Sequence, residues 1–317
     1  MSTVKTRVTI GEVRTFLREE YAEPIRALHP LRGGEYSRAF AFDTSEGKYV
    51  IRANNTARTF RKDVYAYRHF RSDAVPIPKI IKIGRLNERL FFSISERVAG
   101  KVVEDFNTKD LNELLPQLMR TLDAIHSTKI SSQGKRSGDL NMRGVGMSDS
   151  WRSYILSIQN KTGQEKEFFE EVEEKIRTLV RYCPEKRSLV HGDYGFNNVL
   201  ADGKKITGVI DWGEMKYGDF LFDIAWLDFW SRDVQYAEKF KVHYKKVGIA
   251  VENYEERIAC YQLFLGLSSF VFFVNSGQKK AARWVKKHTE SILSSTIKNK
   301  NASRHAHGYR TVTSILG

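Results

Sequence analysis

One stretch restricts this chain more than any other. It runs Leu189-Val190-His191-Gly192-Asp193-Tyr194-Gly195-Phe196-Asn197-Asn198-Val199-Leu200 and is followed by Val209-Ile210-Asp211-Trp212. An aspartate in a turn ordinarily does no more than bind backbone amides. Here two aspartates and an asparagine fall in fixed order on a strand-loop-strand pattern, with Asp202-Gly203 reading as the turn of a hairpin. Asp193 is placed to take a proton from a hydroxyl. Folding the hairpin would bring Asn198 and Asp211 together as hard oxygen ligands for Mg²⁺.

The order His-x-Asp, Asn and a strand-terminal Asp matches the catalytic loop and metal strand of phosphoryl transfer in kinases. The strand and helix pattern agrees. Thr9-Ile10-Gly11-Glu12 reads as a capping box opening a helix to about Tyr21, before Pro24. Strands follow from Leu28 to the Gly33-Gly34 turn, at Ser37–Phe42 and at Lys48–Ala53. A helix from Thr56 to about Phe70 shows Phe60, Val64, Tyr67 and Phe70 at helical spacing. Past Pro76 and Pro78 come strands Ile80–Ile83 and Leu90–Ile94. The fold class is therefore α+β. A small N-terminal lobe (1–95) holds a five-stranded antiparallel sheet with one main helix. A hinge (96–100) leads to a larger, mostly helical C-terminal lobe (101–317). Its helices are expected at Leu111–Thr128, Trp151–Gln159, Glu165–Tyr182 and from Leu221 to about Ser294. Ser131–Ser150 reads as a loop, and the tail from Lys298 lacks periodicity.

Further words carry a family resemblance. Val190-His191-Gly192-Asp193, Asn198, Val209-Ile210-Asp211-Trp212, Gly218-Asp219 and Asp223-Ile224-Ala225 resemble the aminoglycoside phosphotransferase family. Gly34-Glu35-Tyr36-Ser37-Arg38-Ala39-Phe40, Tyr49-Val50-Ile51-Arg52 and Asp63-Val64-Tyr65-Ala66-Tyr67-Arg68-His69-Phe70 look most like its hygromycin B branch. The similarity runs from about Thr9 to Trp230. It implies a kinase-like enzyme that uses Mg²⁺ and moves the γ-phosphate of ATP or GTP to a hydroxyl of a cationic aminoglycoside. It further implies that His191 braces the catalytic loop and that Asp223 supports the site.

Nucleotide binding in such a fold needs backbone amides at the phosphates, a cation and an apolar adenine slot. Gly33–Ser37 is the phosphate-loop candidate, and Ser37 its side-chain contact. No G-x-x-x-x-G-K-[ST] occurs, which excludes a P-loop. Arg52 stands where lysine is usual, keeping the charge with a forked geometry, and Asp63 stands where the family places a glutamate. Val50, Leu200 and Ile210 would line the adenine slot, with hinge backbone at Glu96 and Val98. For the acceptor the candidates are Asn197, Asp228 and Trp230. Glu238, Glu252, Glu255 and Glu256 read as a solvated face, and His305 and His307 as part of a basic arm.

With 41 % hydrophobic residues, the 317-residue chain can bury a substantial core. Its net charge of +14 is unevenly spread. Residues 1–96 hold 18 Lys/Arg against 11 Asp/Glu, and residues 279–317 hold 9 against 1. The middle has 25 against 26 and is nearly neutral, as a cationic acceptor would require. No nucleic-acid-binding motif accompanies the charge, so no nucleic-acid partner is expected. No signal-like start is seen, and the apolar run Tyr261–Val274 is interrupted and reads as a buried helix, so no membrane partner is expected. Cys183 and Cys260 lack disulfide or metal spacing, and the expected location is cytoplasmic. Two rivals keep the fold: a kinase for a sugar or amino alcohol, and a catalytically silent nucleotide-binding module.

Overall fold

The structure is a computed structural model. It describes residues 6–32, 37–130, 135–160, 162–231 and 234–308, with side chains as far as 296. The chain forms two compact units. One comprises Thr3–Trp151 and Glu185–Asp223; the other comprises Arg152–Pro184 and the chain from Ile224 onward. Residues 189–200 fall in the same unit as the N-terminal sheet.

The first unit opens with α1 (Ile10–Glu20), whose start is fixed by reciprocal bonds between Thr9 and Glu12. Strands β1 (Arg26–Pro30), β2 (Arg38–Asp43), β3 (Lys48–Asn54), β4 (Ile80–Arg85) and β5 (Phe91–Glu96) form an antiparallel sheet in the order β1-β2-β3-β5-β4. Val13, Phe16 and Leu17 of α1 pack on Phe40, Phe42, Ile51, Ala53, Phe92 and Ile94. Phe16 and Phe92 have ring centroids 4.6 Å apart. Because side chains alternate along a strand, burying Ile51 and Ala53 under α1 turns Val50 and Arg52 to the opposite face. Helix α2 (Arg58–Phe70) buries Phe60, Ala66 and Phe70, but also Lys62 and Asp63.

Two smaller sheets complete this unit. β6 (Lys101–Val102) pairs with the hairpin of β10 (Val199–Asp202) and β11 (Lys205–Val209). Asp202 pairs with Lys205, so the tight turn is Gly203-Lys204 rather than Asp202-Gly203, and Gly203 takes φ 60°. Between them lies α3 (Thr108–His126), N-capped by Asn107. The second sheet corrects the sequence reading. Within the expected loop, β7 (Ser137–Leu140) and β8 (Gly146–Ser148) form a hairpin. Its sheet runs β8-β7-β12-β9, through β12 (Lys216–Gly218) and β9 (Ser188–Val190). These strands are three or four residues long, and their partners are distant in sequence, so no local alternation announces them. Gly218 is required here: a Cβ would come 2.2 Å from the Trp151 ring.

The second unit is helical: it holds α4 (Trp151–Ile155) from Arg152, α5 (Lys166–Leu179), α6 (Leu221–Trp230) from Ile224, α7 (Tyr236–Lys246), α8 (Tyr254–Asn275) and α9 (Lys279–Gly308). α4 is shorter than expected, and the long C-terminal helical run divides into four. The backbone is helical to Gly308, past the point where the sequence loses periodicity. Tyr261–Val274 lies within α8, whose 22 residues include an 18-residue window of mean hydropathy 1.6, enough by length and composition to cross a bilayer. Length therefore does not exclude a span, but 61 % of that apolar window is buried inside the protein. It is packed against α5 and α9 and carries buried Arg257, Gln262 and Ser269, as a core helix does.

Candidate active site

Every candidate catalytic and metal residue falls within the first unit. Arg52, delivered by the β3 alternation, contacts Asp63 on α2. It lies over the Phe60 ring at 5.3 Å, and its Nη1 is 3.9 Å from Asp211 Oδ1. Burial disfavours the guanidinium charge, but Asp63 and Asp211 outweigh it and raise the Arg52 pKa. Burial likewise pushes the Asp63 carboxyl up, while Arg52 draws it down. The other Asp63 oxygen accepts the Trp212 N–H at 2.9 Å.

The catalytic loop is held from beneath. Asp223 accepts the N–H groups of His191 (2.9 Å) and Gly192 (2.8 Å), and His126 Nε2 lies 3.0 Å from it. Burial raises the Asp223 carboxyl, but these contacts outweigh it and leave the pKa below the ordinary value. Gly192 has φ 82°, and a Cβ would meet the Glu214 carbonyl at 2.1 Å, so only glycine fits. Burial draws the His191 imidazole below its ordinary pKa, against the pull of Asp223 and Asp211. Its Nε2 faces the Ile210 carbonyl at 3.1 Å, while Nδ1 accepts the Asp193 N–H at 3.3 Å. That pairing fixes one tautomer and ties the loop to the metal strand.

Asp193 accepts from Asn198 Nδ2 at 2.8 Å. Burial, then the Asp211 charge, push its pKa up to about 8, against the pull of Asn198. Because the Asn198 amide nitrogen is turned to Asp193, its Oδ1 faces away, contacted by Asn197 Nδ2 at 3.4 Å. The Ile210 N–H donates to the Asn198 carbonyl at 2.9 Å, which sets the two strands in register. Asp211 takes a left-handed backbone (φ 62°), uncommon for a residue with a side chain, and its carboxylate is 40 % exposed. An amide oxygen and an accessible carboxylate suit a hard divalent cation, whose other ligands would be phosphate oxygens and water.

Around this centre, Val50, Val98, Leu200 and Ile210 are half-buried. Val98 and Leu200 converge on Gly208, where a Cβ would lie 2.9 Å and 3.6 Å from them. The Glu96 N–H is taken by the Lys79 carbonyl, so a ligand could meet this backbone only at its C=O. Ser37 is half-buried ahead of β2, while Gly33–Tyr36 lie outside the described residues. Four residues escaped the sequence reading: His126, Asp139, Lys62 and Lys216. Lys62 donates to the Gly213 carbonyl at 2.6 Å, and Lys216 to Asp139 at 2.8 Å and the Glu214 carbonyl at 2.9 Å. Nothing local marks Lys62, which lies off the Phe60–Val64–Tyr67–Phe70 stripe, or Lys216.

In the second unit, both Asp228 oxygens are engaged. Oδ1 accepts the Ala237 N–H at 2.9 Å, in the first turn of α7, and Oδ2 accepts from Gln262 at 2.8 Å. Gln235, at the α7 N-cap, offers no side-chain bond, so Asp228 supplies the cap from α6. Trp230 stacks on Trp284 (5.5 Å, 23°) and lines a cavity of about 330 Å³ with Phe273, Lys280, Ala281 and Trp284. Its indole N–H is buried and has no hydrogen-bond partner among the described residues.

A β3 cation joined to an α2 carboxylate, with an Asp-Asn-Asp set spanning loop and hairpin, defines a kinase-like phosphotransferase. The chain belongs to the phosphotransferase enzyme family abbreviated APH, whose model matches residues 27–257. It is 32 % identical over 300 residues to hygromycin-B 4-O-kinase of Escherichia coli, covering 92 % of this chain and 87 % of that protein. The relationship thus extends well past Trp230. The crystal structure of a thermostable mutant of aminoglycoside phosphotransferase APH(4)-Ia, in ternary complex with AMP-PNP and hygromycin B, superposes with a TM-score of 0.82. That pair is 31 % identical, covering 90 % of this chain and 99 % of the other. A weaker similarity joins mouse hydroxylysine kinase, 26 % over 128 residues, or 37 % of this chain and 32 % of that one.

Proposed function

We propose that this enzyme transfers the γ-phosphate of ATP or GTP to a hydroxyl of an aminoglycoside, a hygromycin B-like antibiotic, and so confers resistance. The observation that carries the reading is the similarity to hygromycin-B 4-O-kinase across 92 % of the chain. Asp193 takes the acceptor hydroxyl's proton. Burial, then the Asp211 charge, raise its pKa, and a more basic carboxylate draws a proton more strongly. Arg52, braced by Asp63, clamps nucleotide phosphate oxygens. Ser37 contacts the phosphates, Val50, Leu200 and Ile210 hold the base, and Glu96 and Val98 offer backbone. Asn198 Oδ1 and Asp211 would hold Mg²⁺, which when bound would neutralise charge on the transferred phosphoryl group. His191 and Asp223 fix the loop so that the attacking oxygen meets a preset geometry.

Asn197, Asp228 and Trp230 are the proposed acceptor contacts, Trp230 supported by its stacked aromatic surface and unpartnered indole N–H. The near-neutral middle of a +14 chain supports a cationic acceptor. Neither Cys183 nor Cys260 is in a disulfide, which supports a cytoplasmic setting.

A second reading, phosphorylation of an amino alcohol or sugar metabolite, draws on the local likeness to hydroxylysine kinase. One experiment separates the two. Purified protein is incubated with Mg-ATP or Mg-GTP and a panel of aminoglycosides, hydroxylated amino acids and neutral sugars, and products are identified by mass. Phosphorylated hygromycin B, with neutral sugars untouched, is expected. Turnover of metabolites with no aminoglycoside turned over would overturn the antibiotic reading and leave the phosphotransferase.

A further inference from the structure

Directly after Asp211 the chain makes a single 3₁₀ turn, Trp212–Glu214. So short a turn satisfies few of its own backbone groups, and those that are buried must be met from outside. Three ionic side chains meet them. The Trp212 N–H goes to Asp63 at 2.9 Å, the Gly213 carbonyl receives Lys62 at 2.6 Å, and the Glu214 carbonyl receives Lys216 at 2.9 Å. Lys62 and Asp63 are consecutive on α2, 2 % and 3 % exposed. One grips the turn by a carbonyl and the other by an amide. The fit is close: a Cβ on Gly213 would lie 3.1 Å from Thr59 Cγ2, also contributed by α2.

A buried ammonium is costly unless something offsets its lost hydration. Burial draws the Lys62 pKa down, and Glu214 and Asp139 pull it back. A lysine serving only to fill space would be replaced by methionine without that cost, so its cation needs a structural reason. Gly213 provides one, since its buried carbonyl has no partner within so short a turn.

We propose that Lys62 is a positioning residue for phosphoryl transfer: with Asp63 it forms a two-point clamp from α2 that holds the Asp211 turn in its left-handed presentation. The inference rests on the phosphotransferase reading above, in which Asp211 is the anionic metal ligand. Through Asp63 the same clamp holds Arg52. The phosphate-binding cation and the metal-binding carboxylate are thereby set by one turn of one helix. Two adjacent residues on α2, rather than the acid alone, do this.

The test uses the full chain and four variants: Lys62→Met, Lys62→Arg, Asp63→Asn and the double variant Lys62→Met/Asp63→Asn. Binding of a non-hydrolysable ATP analogue is titrated with and without Mg²⁺, alongside amide hydrogen exchange of residues 211–215. In Lys62→Met the Mg²⁺-dependent part of nucleotide affinity should fall about tenfold, the scale of losing a hydrogen bond to a charged group. Metal-free affinity should hold, and exchange in the turn should accelerate. Lys62→Arg, which keeps a buried cationic donor, should recover most of the loss. Losses in Lys62→Met and Asp63→Asn should fail to add in the double variant, because the two residues hold one turn. Unchanged Mg²⁺ dependence and unchanged exchange in a folded Lys62→Met protein would overturn the clamp. Should that variant not fold, the wild type decides: its Trp212 amide must be protected as strongly as the amides of α2, and rapid exchange there refutes the proposal. A protected turn in a protein that binds no nucleotide would instead remove the phosphotransferase reading and leave the clamp standing.

Discussion

Asp193, the proposed base, is held against the interest of stability. Its pKa of about 8 is set by burial and by Asp211, against the Asn198 hydrogen bond and the Lys216 charge. A carboxyl whose pKa is raised in the folded protein contributes most to stability when protonated, and loses that contribution as pH rises from the unfolded pKa, about 4, through the folded value near 8. Asp193→Asn removes the charge while keeping the shape. In metal-free, nucleotide-free protein the variant should therefore melt higher than wild type near pH 8, with the gap closing as pH falls towards 4. Melting curves across that range check it; a gap independent of pH would mean that burial does not set this group's ionisation. The same variant should lose about a thousandfold or more in turnover if Asp193 is the base, and retention within about tenfold would assign that role elsewhere.

Among the elements, α7 depends on α6. Asp228 spends both oxygens on Ala237 N–H and Gln262, and burial raises its pKa. Asp228→Ala should thus cost about 1–2 kcal/mol in denaturant unfolding, as loss of an N-cap does. If its carboxylate also attracts a cationic acceptor, the acceptor KM should rise more than the ATP KM. A stability loss with both KM values unchanged would make it a cap alone and leave Trp230 and Asn197 as the proposed acceptor contacts. α8 and α9 illustrate a different dependence. Thr289 packs so closely on Gly266 that a Cβ there would come 2.1 Å from its Oγ1, and this approach needs glycine on α8. Sequence spacing found most helices, since each presents a stripe at helical period. It missed the β7–β8 hairpin because Gly and Ser strands of three or four residues owe their existence to β12, which joins them from beyond the catalytic loop.

For the whole molecule, the +14 charge is a property of surface distribution rather than of a binding motif. A short duplex DNA should be held weakly at low salt, without sequence preference, and released by about 150 mM salt as counterion release predicts. Fluorescence anisotropy over a salt series checks this; tight binding that survives such salt would reveal a nucleic-acid function that the chain's motifs do not show. The same charge leaves the middle of the chain nearly neutral, where a polycationic acceptor meets the least repulsion.

The sequence by itself determined the α+β class, the five N-terminal strands and their helix, and the positions of Asp193, Asn198 and Asp211. Those features are local: a period of two, a period of 3.6, and a loop whose spacing is fixed by one hairpin. It also pointed to Arg52 and Asp63, through their place relative to β3 and α2. Only the tertiary structure decided what surrounds them. Whether a lysine on α2 is a solvated charge or a buried donor depends on what packs against it, and Gly213 lies 151 positions away. His126 and Asp223 meet across 97 positions, and Lys216 and Asp139 across 77. Long-range electrostatic partners leave no period and no fixed spacing, so they become visible only when folding has removed the water that would otherwise have served in their place.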